Sequence, residues 1–313
     1  MELVNRILAG DIRAAARLMT AVENGAPEAL EVLGYLYPHT GRGYIIGITG
    51  APGVGKSTLM NALIGILRAR GMSVGVIAID PTSPFTGGAL LGDRVRMQRH
   101  STDPGVFIRS LAMRRGSGGL AQATISLAQV MDAMGKNIIL VETAGIGQAD
   151  IGITQLADTA ILILTPGAGD DIQLMKAGIL EAADIFAINK ADQAGAQSLK
   201  AELETMLAMK GHTAGDWQPA IVLTTATTGQ GTEPLADEIK RHQNFQVASG
   251  KLNERRRQRA KLELTMSIES SLRSYIRAGM DKEELERLVN DLLQKKTSPG
   301  AAAREIIDRS IKR

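Results

Sequence analysis

The fold of this chain is decided by residues 41–60, GRGYIIGITGAPGVGKSTLM. Residues 44–49 are a short apolar run rich in β-branched side chains, which is typical of a buried strand. Residues 50–57, GAPGVGKS, fit the phosphate-loop pattern GxxxxGK(S/T), and apolar residues then recur at helical spacing. The pattern therefore lies between a predicted strand and a predicted helix N-terminus, the context in which it binds a nucleoside triphosphate.

The residue types of this loop suit phosphate binding. Glycines let backbone N–H groups point at phosphate oxygens, and the helix N-terminus adds its positive dipole end. Lys56 can reach the β- and γ-phosphates, the Ser57 hydroxyl can ligate Mg²⁺, and Thr58 can contact the α-phosphate. The predicted nucleotide-binding residues of the loop are Gly50, Pro52, Gly53, Val54, Gly55, Lys56, Ser57 and Thr58.

Composition restricts the class of protein. Of 313 residues, 44% are hydrophobic but only 3% aromatic, so aliphatic side chains and Met must fill the core. The absence of cysteine excludes disulfides, thiolate metal sites and Cys nucleophiles. A net charge of +3 is too small to argue for nucleic acid, and the sequence has neither a signal-peptide apolar region nor a membrane-spanning apolar run. We expect a cytoplasmic protein that contacts neither nucleic acid nor membrane.

Periodicity predicts three parts. Residues 1–40 carry small and aliphatic residues at three- and four-residue intervals, which predicts an N-terminal helical extension. Residues 41–243 alternate strands and helices, which predicts an α/β P-loop NTPase domain with a mostly parallel central sheet flanked by helices. Residues 244–313 return to helical spacing and are expected to form a C-terminal dimerisation arm. The predicted strands are Tyr44–Thr49, Ser73–Asp80, Val106–Ser110, Asn137–Thr143, Thr159–Thr165, Ile185–Asn189 and Ala220–Thr225.

A basic run opens the last part. Residues 251–261, KLNERRRQRAK, hold six basic residues and one acid. Because the chain has so few aromatic residues, we interpret this run as a solvated helix face rather than a nucleic-acid contact.

Acidic residues follow two of the predicted strands. Asp80 ends one strand, and Asp93 lies in the following loop or at the start of a helix. Glu142 ends another strand where a Walker B acid is expected. Mg²⁺ prefers such oxygen ligands, although Asp80 could instead cap a helix or turn, because Pro81 follows it. Gly145 could bring a backbone N–H close to the γ-phosphate. The predicted metal ligands are Ser57, Asp80, Asp93 and Glu142, and the predicted catalytic residues are Lys56, Asp80 and Glu142.

A second motif, NKAD at residues 189–192, identifies the base. The Asp192 carboxylate can accept hydrogen bonds from guanine N1–H and the 2-amino group, which adenine cannot offer in the same way. Asn189, Lys190 and Asp192 are therefore predicted to read guanine. Thr225 and Ala226 follow the next strand, where a second base-contact loop would lie. The predicted ligands are GTP or GDP with Mg²⁺.

Between these motifs, residues 166–176, PGAGDDIQLMK, allow two interpretations. A glycine-rich loop with paired acids ordinarily caps a helix. The alternative is a switch loop that transmits the nucleotide state to a partner.

Together these stretches resemble the MeaB/ArgK-type P-loop GTPases, the bacterial relatives of the methylmalonic aciduria type A protein. The resemblance covers nearly the whole chain. Its residues are GAPGVGKST (50–58), DPTSPFTGGALLGDRVRM (80–97), FIRSLAMRRGSGGL (107–120), VETAGIGQAD (141–150), PGAGDDIQLMKAGI (166–179) and NKAD (189–192). Two stretches depart from the family pattern: the usual ETVGVGQSE is ETAGIGQAD here, and the usual His-Leu before Gly-Gly is Gly116-Ser117.

The resemblance implies a homodimeric GTPase that serves as chaperone to an adenosylcobalamin-dependent acyl-CoA mutase. Its client would be methylmalonyl-CoA mutase or a relative, such as an isobutyryl- or 2-hydroxyisobutyryl-CoA mutase. GTP binding and hydrolysis would gate cofactor loading and protect the mutase, and the mutase would stimulate hydrolysis. Asp170, Gln173 and Lys176 would belong to the family's third switch loop. The candidates for an arginine that stabilises transition-state charge are Arg94, Arg96, Arg109, Arg114 and Arg115.

Two other functions remain open. One is a GTPase metallochaperone of the nickel-insertion type, which the lack of cysteine and the scattered histidines disfavour. The other is a kinase that phosphorylates a transport protein, which NKAD disfavours because it predicts GTP as the nucleotide.

Overall fold

The computed structural model describes residues 1–81, 98–100, 102–113, 119–143, 148–167, 179–209, 215–279 and 282–311. These residues form two compact units, Met1–Arg259 and Ala260–Arg313. The division of the chain into an extension, a nucleotide domain and a dimerisation arm stays a prediction.

The first unit is built on one sheet. Within the described residues the strands are β1 (Tyr44–Thr49), β2 (Val74–Pro81), β3 (Val106–Met113), β4 (Ile138–Glu142), β5 (Thr159–Leu164), β6 (Ile185–Ile188) and β7 (Ala220–Leu223). Their order is β3-β2-β4-β1-β5-β6-β7, and each neighbouring pair is parallel. This confirms the predicted fold class. β1 lies between β4 and β5, with β2–β4 on one side and β5–β7 on the other, so a crevice opens beyond its carboxyl end.

The strand sequences explain why the sheet is central. β4, β5 and β6 are buried along their whole length, as expected of apolar runs covered on both faces. Alternate residues enter different cores: Ile138 and Leu140 pack in one apolar cluster, whereas Ile139 and Val141 pack in another.

Helices cover both faces of the sheet. The described α-helices of the first unit, ending in one that continues into the second, are α1 (Glu2–Leu8), α2 (Ile12–Glu23), α3 (Pro27–Leu36), α4 (Lys56–Ala69), α5 (Gly119–Ala133), α6 (Gln148–Leu156), α7 (Ile179–Ala182), α8 (Ala196–Met209), α9 (Thr232–Ser249) and α10 (Lys251–Gly279). Short 3₁₀ turns occupy Tyr37–His39 and Gln98–His100. Leu63 of α4 and Leu235 of α9 belong to one cluster, and Leu18 of α2 and Leu127 of α5 belong to the other.

The helices predicted for residues 1–36 are confirmed and pack on the sheet domain. The Asp11 carboxylate caps α2 by accepting from the Arg13 and Ala14 amides at 2.8 and 3.0 Å. Arg109 of β3 then donates to Glu23 at the end of α2 at 2.7 Å. The N-terminal helices are therefore held by an ion pair as well as by their apolar face.

The basic run at the start of α10 differs from expectation. The solvated face predicted for residues 251–261 is wrong for Arg255, Arg256 and Arg259, which are partly buried and donate to groups of the sheet domain. Arg256, for example, donates to the carbonyl oxygens of Gly41 and Gly43 at 2.6 and 3.1 Å. The Arg256 guanidinium therefore satisfies backbone carbonyl groups just before β1 instead of facing solvent.

The second unit is helical. Beyond the rest of α10 it contains α11 (Lys282–Leu293) and α12 (Pro299–Ile311). Leu288 and Ala302 are buried, and Arg287 of α11 pairs with Glu305 of α12 at 2.7 Å. Across the described ranges of both units, no helix combines the length and the apolar character that crossing a membrane requires.

Candidate functional site

The loop between β1 and α4 has a conformation that only glycine accepts at two positions. Gly50 and Gly55 have φ values of 149° and 94°. A Cβ at Gly50 would lie 2.3 Å from the Ile163 carbonyl oxygen, and one at Gly55 would lie 2.4 Å from Asn189 Nδ2. The strand–loop–helix context predicted for the phosphate loop is therefore present, with its backbone tightly packed against β5 and the end of β6.

Lys56 begins α4 and turns back over this loop. Its Nζ donates to the carbonyl oxygens of Gly50 and Ala51 at 2.9 and 3.0 Å, and the side chain is buried. Pro52 and Gly53 at the tip are exposed, whereas Val54 is buried and Thr58 is half-buried. The ammonium group thus lies inside a backbone loop at a helix N-terminus, where positive charge and N–H groups favour an anion.

Ser57 and Glu142 meet beside the loop. The Ser57 hydroxyl donates to Glu142 Oε1 at 2.7 Å, and the Glu142 carboxylate is buried. Parallel pairing places Glu142 opposite Ile48 near the end of β1. A hydroxyl and a carboxylate at the phosphate loop are the hard oxygen donors that suit Mg²⁺, so the residues present fit this ion.

Asn189 connects two loops. Its Nδ2 donates to the Val54 carbonyl oxygen at 2.8 Å, while its Oδ1 accepts from the Ala226 amide at 3.0 Å. The Thr224 hydroxyl approaches the same Oδ1 at 3.3 Å. The NKAD motif predicts that Asn189 reads guanine, but it does not reveal these contacts, because they join residues far apart in the chain.

Lys190 and Asp192 lie beside this brace. Lys190 has φ = 56°, and its Nζ donates to the Gly53 carbonyl oxygen at 3.0 Å, so the stem of the side chain extends toward the phosphate loop. Asp192 is exposed. A lysine stem and an adjacent carboxylate form a platform and an acceptor of the kind that a purine base requires.

The loop after β7 completes this side. The Thr225 amide donates to the Gln230 carbonyl oxygen at 2.9 Å and closes a short turn, with Ala226 held against Asn189. Gly231 follows with φ = 77°, and a Cβ there would lie 2.0 Å from the Leu223 carbonyl oxygen. α9 begins at the next residue.

Other predicted residues are placed only in part. Asp80 lies in β2, but its side chain is outside the described residues, as are Asp93, Gly145, Asp170, Gln173 and Lys176. Of the arginine candidates, Arg94, Arg96, Arg114 and Arg115 are also outside. Arg109 donates to Glu23 and Thr20 of α2, an arrangement that favours a structural contribution.

Known proteins resemble this chain over most of its length. The family model described as methylmalonyl-CoA mutase-associated GTPase MeaB matches residues 15–281. A Pyrococcus abyssi protein named as a GTPase is 49% identical over 98% of this chain and 95% of its own length. The mouse mitochondrial methylmalonic aciduria type A homolog is 30% identical over 82% of this chain and 63% of its own.

A solved structure resembles this chain in fold over most of its length. The crystal structure of an LAO/AO transport system kinase has a TM-score of 0.71 to this chain at 25% identity. It covers 98% of this chain and 96% of its own.

Proposed function

Because the chain belongs to the MeaB family of GTPases, we propose that it is a GTP-driven chaperone of an adenosylcobalamin-dependent acyl-CoA mutase. Hydrolysis of GTP to GDP and phosphate is the reaction of the family. The observation that carries the proposal is the family match over residues 15–281, whose description names association with methylmalonyl-CoA mutase. The similarity to the methylmalonic aciduria type A homolog supports the same client.

In this proposal the phosphate loop and Lys56 hold the phosphates. Gly50, Gly53 and Gly55 allow the loop to present N–H groups, and the Lys56 ammonium would exchange its two loop carbonyls for phosphate oxygens. Val54 and Pro52 shape the loop, and Thr58 would contact the α-phosphate.

Ser57, Asp80, Asp93 and Glu142 would hold Mg²⁺, directly or through water. The contact between Ser57 and Glu142 at 2.7 Å supports the first and last of these. Bound Mg²⁺ would supply charge that stabilises the transferring phosphoryl group. The buried Glu142 carboxylate orients the Ser57 hydroxyl at the start of α4 by accepting its hydrogen bond. Gly145 would bring a backbone N–H close to the γ-phosphate.

Asn189, Lys190 and Asp192, with Thr225 and Ala226, would bind guanine. Asn189 would hold the phosphate loop and the loop after β7 together, Lys190 would supply an apolar stem for the base to pack on, and Asp192 would select guanine. Asp170, Gln173 and Lys176 would relay the nucleotide state to the mutase, as the family resemblance implies.

We further propose a homodimer formed through the second unit. Four large apolar side chains of α10 are exposed by half or more and recur at intervals of four, four and three residues. Such a stripe is larger than single scattered apolar residues and fits a second copy of the same helix. Its members are Leu264, Ile268, Leu272 and Tyr275.

The test is GTP hydrolysis by the purified protein, with and without each candidate cobalamin-dependent mutase, with ATP as the nucleotide control. We expect one mutase to stimulate turnover with GTP only. Lys56→Ala is the matched inactive variant, and it should lower turnover by roughly 10²-fold or more because it removes an ammonium aimed at the phosphates. GTP turnover that no mutase changes would overturn the chaperone proposal while leaving the GTPase in place.

The same assay weighs the kinase alternative, which the similarity to the LAO/AO transport system kinase raises. Phosphate released into solution agrees with hydrolysis. Transfer of the γ-phosphoryl group to a transport protein would favour the kinase instead.

A further inference from the structure

A second polar cluster lies at the opposite end of the sheet from the phosphate loop. It gathers at the amino ends of β5 and β6, where the start of α10 and the second half of α9 meet them, and it lies wholly within the first unit. We call it the root cluster; its members are Asp158, Asp184, His242, Gln246, Arg255 and Arg259.

Arg255 is the central cation of the root cluster. Its Nη2 and Nη1 donate to Asp184 Oδ1 and Oδ2 at 2.6 and 2.7 Å, a bidentate pair, and Nη1 also donates to the Asp158 carbonyl oxygen at 2.7 Å. Arg259 donates to Asp158 Oδ1 at 3.1 Å. Both carboxylates are buried, so loss of their cations would leave charge without compensation.

The same carboxylates hold the strands in place. Asp158 Oδ2 accepts from the Ile45 amide of β1 at 2.9 Å, and Asp184 Oδ2 accepts from the Ala160 amide of β5 at 2.8 Å. β1 leads into the phosphate loop, and β6 leads into Asn189. Strands that start at the root cluster therefore end at the nucleotide site.

α9 makes the second connection. It starts directly after the loop of Thr225 and Ala226, and 18 residues span about 27 Å. In its second half, Gln246 donates to the Asp158 carbonyl oxygen at 2.8 Å and His242 Nδ1 pairs with the Thr159 hydroxyl at 2.8 Å.

Trp217 contacts two members of the root cluster, Asp184 and His242. Its indole Nε1 donates to the Asp184 carbonyl oxygen at 2.8 Å, and its ring lies 4.5 Å from the His242 ring. A cavity of about 320 Å³ adjoins these side chains, and Arg255 is among the residues that line it.

We propose that Arg255 is a positioning residue for the nucleotide site: by joining α10 to Asp158 and Asp184, it fixes the strands and the helix that carry the phosphate and base loops. The inference rests on the nucleotide site proposed above. Because coupling between two sites is reciprocal, nucleotide binding should in turn tighten the start of α10.

The first test is GDP affinity by calorimetry. Arg255→Gln should weaken GDP binding at least fivefold, which is the lower end of the coupling typically found between two sites. Arg255→Lys should recover part of the affinity, because lysine keeps the positive charge. Arg287→Gln is a control outside the cluster: it breaks an ion pair of 2.7 Å that is exposed and lies in the second unit, and it should leave affinity within twofold of wild type. A loss of GDP affinity smaller than fivefold in Arg255→Gln would overturn the proposal.

The second test needs no variant, so it holds even if Arg255→Gln fails to fold. Hydrogen exchange of residues 251–259 in the wild-type protein should slow when GDP is added, which a merely structural contact would not produce. Unchanged exchange would also overturn the proposal. Lys56→Ala separates the two levels: GDP affinity that survives this change removes the nucleotide site assignment itself, whatever Arg255 does.

Discussion

The Asn189 side chain packs so closely at the proposed nucleotide site that one added methyl group would displace it. Its amide joins the phosphate loop to the loop after β7, and it lies where a Cβ on Gly55 would be only 2.4 Å away. Glycine at residue 55 is thus needed for two reasons, a left-handed backbone and the space taken by Asn189.

We predict that Gly55→Ala destabilises the protein more than Gly53→Ala. Both residues have positive φ, 94° and 82°, so both substitutions cost about 1–2 kcal/mol in backbone strain. Only Gly55→Ala also displaces Asn189, since no atom lies within 4 Å of a Cβ at Gly53. Thermal unfolding of both variants measures the difference. Equal destabilisation would show that Asn189 does not pack against the loop as described.

At the scale of elements, α9 carries a buried imidazole. Burial is the main cause that lowers the pKa of His242, to about 4. The positive charges of Arg255 and Arg241 lower the pKa as well, whereas the carboxylates of Asp184 and Asp158 raise it. The folded protein therefore keeps His242 neutral at a pH at which the unfolded chain, with an ordinary value near 6.5, is already protonated.

This difference predicts a loss of stability in acid. Between pH 6.5 and 4, His242 is protonated in the unfolded state but not in the folded state. The free energy of unfolding therefore falls as the pH falls. For this group alone the loss is on the order of 3 kcal/mol. His242→Gln removes the titration, so the stability difference between wild type and variant should shrink from pH 6.5 to pH 4. A difference that stays constant with pH would contradict the assignment.

Elements were predictable from the sequence where local pattern determines them. Apolar runs such as residues 159–164 and 185–188 predicted the strands, and Ser57 and Asn189 were found because their motifs have fixed spacing. The contacts of Arg255 were not predictable, because the sequence of a basic helix face does not show which buried carboxylates it will meet. One signal was present: an Ala-Asp pair directly precedes both β5 and β6, at Asp158 and Asp184.

At the scale of the whole molecule, the exposed stripe of α10 predicts the oligomeric state. Ile268→Asp should convert a dimer into a monomer, because it places a charge in the centre of the proposed interface. Ser267→Asp is the matched control, since the residue is exposed on the same helix beside the stripe. Light scattering after size-exclusion chromatography gives both masses. A dimeric Ile268→Asp protein would place the interface elsewhere.

The position of Trp217 has an optical consequence. The sequence contains a single tryptophan, and the structure sets its indole against His242 and the Asp184 carbonyl group. All tryptophan fluorescence of this protein therefore originates at one point, beside the first turns of α10. The wavelength of that emission depends on the polarity around the ring. An unlabelled sample therefore reports any change in the contacts of Trp217 with His242 and Asp184.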